Sequence, residues 1–379
     1  MSLFLLVFLL LYGSAHGYLL LRLGYAFPQL QGWWPAPLLW CLLMMAAPVV
    51  TRVLEREGQT ALASVMAYVG YCWMGLLFVF LTLSLGLELV RLLRWLAHFM
   101  LPVSWAVLPG PRSWFLACLG CAVLITGYGW FEAADLRTEQ LEVTTRKLPP
   151  GSPKIRIVQI SDLHIGLIVG CGQVQRLVDR VQQLKPDLLV ATGDIVDGHI
   201  SHVDGVSGML RTLQPPLGMY AVFGNHEYYA GSGMSRSFLD QAGFSILRQQ
   251  IQSVGERLIL VGVDDPAGMR FGVKSAPDEH ALLSSLPKNR FVLLLKHRPE
   301  VVQKNQGLFD LQLSGHVHKG QIFPFNLLTW LRFPVHAGMN RLNGDSLLYV
   351  SRGTGTWGPP IRFLAPPEVT VIDLVPAKN

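Results

Sequence analysis

Hydrophobic residues are distributed differently in the first third of the chain and in the remainder. Up to residue 131, long apolar stretches are separated only by short polar segments. A helix needs about 20 mostly apolar residues to cross a bilayer. We therefore predict four membrane-spanning helices, at residues 2–26, 35–54, 60–90 and 113–131. The third stretch is long enough to tilt, or to run along the membrane surface before Arg91.

Beyond residue 131 the pattern changes to short apolar runs that alternate with amphipathic segments. Runs of four to eight apolar residues are typical of buried strands. We predict strands at residues 141–148, 155–160, 188–192, 219–223, 258–263, 291–295, 311–313, 347–350 and 369–374. Residues 172–184 repeat apolar positions with helical spacing. Buried strands alternating with helices predict an α/β fold.

Composition agrees with this division into a membrane part and a water-facing part. The chain is 51% hydrophobic and only 15% charged, with a mean hydropathy of +0.37, whereas soluble domains average roughly 25% charged residues. Only nine charged residues lie in the first 131 positions. We divide the chain into a transmembrane helical region (1–131), a linker with the first strand (132–154) and an α/β domain (155–379).

Charge also bears on partners and topology. The net charge of +6 is shared evenly, +3 in residues 1–131 and +3 in the remainder, so no polybasic tract indicates nucleic-acid binding. With four spans, the loop containing Arg52 and Arg56 lies on the same side as the α/β domain. The opposite side carries Arg91, Arg94 and Arg112. The positive-inside rule then favours an extracytoplasmic α/β domain.

Potential metal ligands follow the predicted strands within a few residues. They are Asp162, His164, Asp194, Asn225, His226, His297, His316 and His318. Open α/β sheets gather such strand-end residues in one crevice. Carboxylate, amide and imidazole ligands without thiolates suit manganese, iron, zinc or cobalt. The set exceeds the needs of one ion, so we predict two ions that share a carboxylate, an arrangement typical of in-line displacement at phosphorus.

These residues lie in five motifs, ISDLHIG, TGDIVDG, FGNHEYY, LLKHRP and SGHVHKGQI. The motifs occur in the order found in calcineurin-like metallophosphoesterases, and the chain resembles that family over residues 138–375. The ending YVSRGTG…PPIRF…PPEVTVIDL resembles its membrane-anchored or exported bacterial branch. The resemblance implies a four-layer αββα sandwich that forms a catalytic domain. It also implies a multi-pass protein of the bacterial inner membrane.

The resemblance further implies a role for each strand-end residue. The first metal would be bound by Asp162, His164 and His318, the second by Asn225, His297 and His316, and Asp194 would bridge the two. His226 matches the family's catalytic histidine, which protonates the leaving oxygen or stabilises the developing charge.

Three cationic residues near these motifs have two interpretations each. Lys319 stands where the branch often has glycine, and its ammonium either contacts an anionic substrate or points to water. Arg352 and Arg362 either hold a phosphate through their guanidinium groups or form structural salt bridges. Asp197, in TGDIVDG, is expected to cap or orient the neighbouring loop.

The function indicated is a membrane-bound, metal-dependent phosphohydrolase in which a metal-activated hydroxide attacks phosphorus. Four spans exceed what a tether requires, so we expect a lipid-linked or membrane-proximal phosphoester or pyrophosphate substrate. One alternative is a UDP-diacylglucosamine pyrophosphatase of lipid A synthesis, which needs a cytoplasmic active site. Another is a membrane sensor or transport-associated protein that binds a phosphorylated ligand without turnover, against which the intact His226 argues. A nucleic-acid phosphodiesterase is disfavoured because no basic, aromatic-lined tract is present.

Overall fold

The structure, a computed structural model, describes residues 3–100, 109–198, 205–273 and 278–378. The chain forms two compact units. The first, here the helical unit, contains Met1–Phe131 and Gly358–Ile361, and the second, the α/β unit, contains Glu132–Trp357 and Arg362–Asn379.

The helices of the first part of the chain are α1 (Leu3–Ala26), α2 (Pro35–Arg56), α3 (Thr60–Met100) and α4 (Pro111–Ala134). All four are long and apolar enough to cross a membrane, which confirms the predicted number. Helix α3 extends about ten residues further than predicted, because neither proline nor glycine occurs between Leu87 and Met100. Its 41 residues span roughly 60 Å, about twice the thickness of a bilayer's hydrocarbon core.

Glu88 of these apolar helices pairs with two arginines. The Glu88 carboxylate lies 3.2 Å from Arg91 one turn later in α3 and 2.7 Å from Arg22 of α1. A carboxylate in an apolar helix is costly unless it is paired. The pairing of Glu88 with Arg91 follows from their spacing in the sequence, whereas the contact with Arg22 depends on helix packing.

The α/β unit contains two six-stranded sheets. The strands of the first sheet are β1 (Arg137–Thr145), β2 (Ile155–Ile160), β3 (Leu188–Ala191), β4 (Met219–Ala221), β5 (Ser245–Ile246) and β12 (Glu368–Pro376). Those of the second are β6 (Gln250–Val254), β7 (Leu258–Val263), β8 (Phe291–Lys296), β9 (Leu311–Ser314), β10 (Gly338–Arg341) and β11 (Leu347–Val350). Their spatial orders are β1-β12-β2-β3-β4-β5 and β10-β11-β9-β8-β7-β6.

Both sheets are mixed. Strand β12 pairs antiparallel with β2 and parallel with β1 over all nine residues of β1. This pairing starts the first strand at Arg137, four residues earlier than predicted. The neighbours β2, β3 and β4 are parallel, as are β7, β8 and β9. Parallel strands end at the same edge of a sheet, and the candidate site lies at these ends.

Helices cover the outer faces of the two sheets. They are α5 (Cys171–Leu184), α6 (Val206–Arg211), α7 (Asn225–Ala230), α8 (Ser232–Gln241) and α9 (Glu279–Ser284), whereas α10 (Phe325–Arg332) follows the loop after β9. Between the sheets, Ile157 and Val190 pack in one cluster with Leu293. Leu177 of α5 belongs to a cluster on the outer face of the first sheet, and Leu283 of α9 to one on that of the second. These layers confirm the αββα sandwich.

Candidate metal centre

Loops at the ends of five strands carry the eight candidate residues. Asp162 and His164 follow β2, Asp194 follows β3, Asn225 and His226 begin α7 after β4, His297 follows β8, and His316 and His318 follow β9. All are buried except His316, which is partly exposed. The two sheets therefore both contribute to one group of side chains.

One group of potential ligand atoms is formed by Asp162, His164 and His318. The Nε2 atoms of His164 and His318 are 3.1 Å apart, and His318 Nε2 lies 3.5 Å from an Asp162 oxygen. Ligand atoms about 2.0–2.2 Å from one ion are separated by about 3–3.5 Å. The spacing therefore fits a single metal ion, and these are the residues expected to bind the first.

A second group contains Asp194, His297 and His316. His297 Nε2 lies 3.1 Å from both Asp194 Oδ2 and His316 Nδ1. The same Asp194 oxygen is 4.0 Å from His164 Nε2, so Asp194 lies between the two groups. The buried Asn225 Oδ1 accepts no hydrogen bond from any described residue. A buried oxygen of this kind normally has a partner, and a cation in the second group would provide one.

The electrostatic environment also suits metal ligands. Burial lowers the pKa of His164 to about 4 and that of His316 to about 3. Both imidazoles are therefore neutral at physiological pH and have a lone pair for a metal. Burial would also lower the pKa of His297, but the Asp194 carboxylate raises it to about 10. A divalent cation would displace this proton, since metal ligands must be deprotonated.

The backbone of the ligand loops is strained. Five candidate residues have positive φ angles in the left-handed region: Asp162 (52°), His164 (55°), Asp194 (53°), His316 (74°) and His318 (47°). This conformation costs a residue other than glycine about 1–2 kcal/mol. Such strain concentrates at functional sites, where surrounding structure maintains it. Here main-chain hydrogen bonds between loops help, such as His164 N–H to the Asp194 carbonyl at 3.0 Å.

Two glycines allow the loops to approach one another. A Cβ atom at Gly315 would overlap Ser161 and the Asp162 carboxylate, and one at Gly224 would overlap the Asp194 carboxylate. The absence of a side chain at both positions is therefore a condition for the ligand groups to form.

His226 is held by two aspartates. Its backbone N–H donates to Asp194 Oδ1 at 2.8 Å, and its Nδ1 lies 3.0 Å from Asp197 Oδ1. Burial alone would lower the pKa of His226, but these carboxylates raise it to about 9. The neighbouring loop that Asp197 contacts is therefore the FGNHEYY loop, which meets the TGDIVDG loop only in the folded chain.

Glu227 is a site residue whose role is not evident from the sequence. Its fully buried carboxylate accepts hydrogen bonds from the backbone N–H groups of Asp194, Ile195, Val196 and Gly224, at 2.7–3.2 Å. It thereby joins the loops after β3 and β4. The one sequence feature that could have indicated Glu227 is its position directly after the GNH tripeptide.

The contacts of Arg352 and Arg362 distinguish between the two interpretations given for each of these residues. Arg362 is fully buried and donates to the carbonyls of Arg352 and Ala365, at 2.7 and 2.9 Å. Arg352 pairs with Glu368, at 2.6 Å, and with Glu139. These contacts favour the structural interpretation of both arginines. Lys319 is partly exposed and forms no ion pair within the described ranges.

Two exposed aromatic rings lie beside His226, and a third lies beside one of them. Its ring centroid is 5.3 Å from that of Tyr229 and 5.8 Å from that of Trp357, and Tyr229 lies 5.9 Å from Phe271. All three side chains are more than half exposed. We call Tyr229, Phe271 and Trp357 the aromatic rim. Its members are far apart in the sequence, so no local pattern could indicate it.

Comparison with known proteins gives matches to a single family. The family model described as calcineurin-like phosphoesterase matches residues 155–320. A metallophosphoesterase of Aquifex aeolicus is 40% identical over 255 residues, covering 67% of this chain and 97% of that protein. A Danio rerio transmembrane protein with a metallophosphoesterase domain is 31% identical over 277 residues, covering 69% of this chain and 63% of that protein.

Among solved structures, the chain is similar to a 5'-nucleotidase precursor from Thermus thermophilus, with 18% identity and a TM-score of 0.36, over 59% of this chain and 54% of that one. On the sequence matches, the chain belongs to the calcineurin-like phosphoesterase family. The four apolar helices and the transmembrane relatives indicate that it is anchored in a membrane.

Proposed function

We propose that the protein is a dinuclear metal-dependent phosphohydrolase that cleaves a phosphoester or pyrophosphate at a membrane. The observation that carries this proposal is the pair of ligand groups on either side of Asp194. Two neighbouring ions are the arrangement that in-line displacement at phosphorus uses.

The proposed roles of the ligands follow the family resemblance, and the two ligand groups support them. Asp162, His164 and His318 would hold one ion, Asn225, His297 and His316 the other, and Asp194 would bridge them. Manganese, iron, zinc and cobalt all suit these oxygen and nitrogen donors. When bound, such ions activate the attacking water and neutralise charge that develops on the phosphoryl oxygens.

His226 is proposed to act as the general acid. Its Nδ1 is held by Asp197 at 3.0 Å, which leaves Nε2 to carry the proton for the leaving oxygen. The elevated pKa of about 9 keeps the imidazole protonated at neutral pH. A positioned general acid of this kind contributes about 100- to 10,000-fold to the rate.

The substrate is proposed to be lipid-linked or otherwise close to the membrane. The aromatic rim supports this, because it places exposed apolar surface next to the histidine that would protonate the leaving group. Apolar pockets with a few polar groups are typical of sites for partly apolar ligands. Membrane anchoring by four helices also supports a substrate that occurs at the bilayer.

Turnover of a generic aryl phosphodiester by the purified full chain with manganese tests the proposed activity. We expect hydrolysis, and a loss of at least about 100-fold in Asp194→Ala, because the variant lacks the proposed bridging carboxylate. Asp345→Ala is the matched control, since its side chain is 98% exposed. Absence of turnover, or an Asp194→Ala protein as active as the parent, would contradict the proposal and favour a ligand-binding sensor.

The lipid substrate needs a separate test. Lipid extracts from cells that produce the Asp194→Ala protein, in place of the parent, should accumulate one phosphorylated lipid. An accumulated UDP-linked glycolipid would identify the lipid A pyrophosphatase alternative. An unchanged lipid profile in cells whose parent protein hydrolyses the aryl phosphodiester would count against a lipid substrate alone.

A further inference from the structure

Helix α10 has the opposite polarity to an ordinary surface helix. None of its eight residues is buried. Its apolar side chains Phe325, Leu327, Leu328, Trp330 and Leu331 are 45–72% exposed, whereas Asn326 and Thr329 are less exposed. Surface helices of soluble proteins turn their apolar stripe towards the core. Here the polar positions face the domain and the apolar positions face outwards.

The helix is attached to the candidate metal centre at both ends. At its start, a Cβ atom at Gly320 would overlap the backbone of Asn326, so α10 packs directly on the loop that carries His318. After its end, the Phe333 ring makes an edge contact with the His316 ring, at 5.6 Å between centroids. The outward apolar face therefore adjoins the loop that carries His316 and His318 and is not part of a remote segment.

We propose that α10, together with the exposed Phe323 that precedes it, is a membrane-contact surface that lies in the lipid headgroup region. We call these residues the α10 surface: Phe323, Phe325, Leu327, Leu328, Trp330 and Leu331. An interfacial helix combines leucine, phenylalanine and tryptophan on one face with cationic residues beside it. The contact would hold the loop of His316 and His318 at the depth of lipid headgroups.

Two observations favour lipid over a protein partner. The same chain has four helices that can cross a membrane, and only Asp135 and Leu136 separate α4 from β1, so the α/β unit is tethered by a short link to a membrane-spanning segment. Cationic side chains also flank the α10 surface. Lys319 precedes it without an ion pair among the described residues, and Arg332 at its end is 67% exposed although paired with Glu300. Both complement anionic lipid headgroups.

The test uses the full chain in nanodiscs of phosphatidylcholine and phosphatidylglycerol, and it does not depend on catalysis. The native cysteines are replaced by serine, and an environment-sensitive fluorophore is attached to Leu331→Cys. The matched control carries the fluorophore on Asp345→Cys, which precedes β11 and so lies at the end of the second sheet opposite to His316. Unchanged thermal unfolding establishes that each labelled protein is folded.

We expect lipids with a nitroxide on the acyl chain to quench the label at position 331 at least twofold more than the label at 345. Aqueous iodide should quench the two labels in the reverse order. Equal iodide quenching at both positions would overturn the proposal, because the α10 surface would then lie in water. Protection from iodide without quenching by nitroxide lipid would also overturn it, because a protein or a second copy would then cover the surface.

A second measurement avoids the cysteine replacements. In the otherwise native chain, Trp330→Phe should remove a part of the tryptophan emission that nitroxide lipids quench. If the emission that is lost is insensitive to these lipids, Trp330 does not contact the bilayer and the proposal fails. Loss of phosphodiester turnover would contradict the proposed activity but would leave either quenching result unaffected.

Discussion

At the scale of single residues, the left-handed backbone of the ligands has a free-energy cost that can be measured apart from metal binding. His316, with φ at 74°, is the clearest position because it is partly exposed. His316→Gly and His316→Ala both remove the imidazole, but only glycine adopts this conformation without strain. In metal-free protein we expect the glycine variant to be more stable by up to about 1 kcal/mol, since left-handed alanine costs about 1–2 kcal/mol and glycine's entropy offsets part of this.

Chemical denaturation of both variants in the presence of a chelator measures the difference. Neither variant should retain normal turnover, because both lack a proposed ligand. An alanine variant that equals or exceeds the glycine variant in stability would show that the backbone at His316 is not left-handed in the protein.

The contact between Asp197 and His226 predicts a shift in the pH dependence of hydrolysis. The Asp197 carboxylate contributes to the pKa of about 9 for His226. A general acid acts while protonated, so activity falls as the pH rises through its pKa. Asp197→Asn removes the negative charge and lowers the pKa of His226. The alkaline limb of the pH profile of kcat/KM should therefore move to lower pH. At pH values above the new limb, kcat/KM should be at least about tenfold lower than in the parent protein.

The profile is measured with the aryl phosphodiester, and metal content is determined in parallel. Asp240→Asn, at an exposed position of α8, is the control and should leave the profile unchanged. A uniform loss of rate without movement of the alkaline limb would mean that Asp197 has only a structural role.

At the scale of secondary-structure elements, Glu227 holds together the loops that follow β3 and β4. Four backbone N–H groups donate to its buried carboxylate. In Glu227→Gln one oxygen is replaced by an NH₂ group that cannot accept, which leaves at least one buried donor unpaired. Each such group costs about 1–3 kcal/mol. We expect destabilisation of about 2–4 kcal/mol and weaker metal binding through displacement of Asp194.

Denaturant unfolding and metal titration test this prediction. Glu142→Gln in β1 makes the same chemical change at an exposed position, and it should alter stability by less than about 0.5 kcal/mol. If Glu227→Gln were as stable as this control, the carboxylate would not organise the two loops.

Among the secondary-structure elements, some features could be predicted from the sequence and others could not. Asp162, Asp194 and His297 each follow a buried strand, so strand periodicity alone indicated that they converge. The predicted start of β1 was wrong by four residues. The bounds of this strand depend on its pairing with β12, more than 200 residues later in the chain. The aromatic rim and the outward apolar face of α10 depend likewise on packing between distant segments. Local patterns do not contain that information.

At the scale of the whole molecule, the two units should respond differently to metal. The potential ligands all lie in the α/β unit, where Asp162 and Asp194 are fully buried beside several imidazoles. Bringing carboxylates together in a dry site is costly unless a cation balances them. Metal binding should therefore stabilise the α/β unit, whereas no group of potential ligands occurs among the described residues of the helical unit.

We predict that chelation lowers the unfolding temperature of the α/β unit. A ligand at 100 times its Kd stabilises the folded state by about 2.7 kcal/mol, equivalent to about 5–10 °C for a domain of roughly 250 residues. Calorimetry of the full chain in nanodiscs, with manganese and with chelator, measures the shift. In Asp194→Ala the shift should shrink to a few degrees or less, because the carboxylate between the two ligand groups is missing. An equal shift in both proteins would place the stabilising metal elsewhere in the chain.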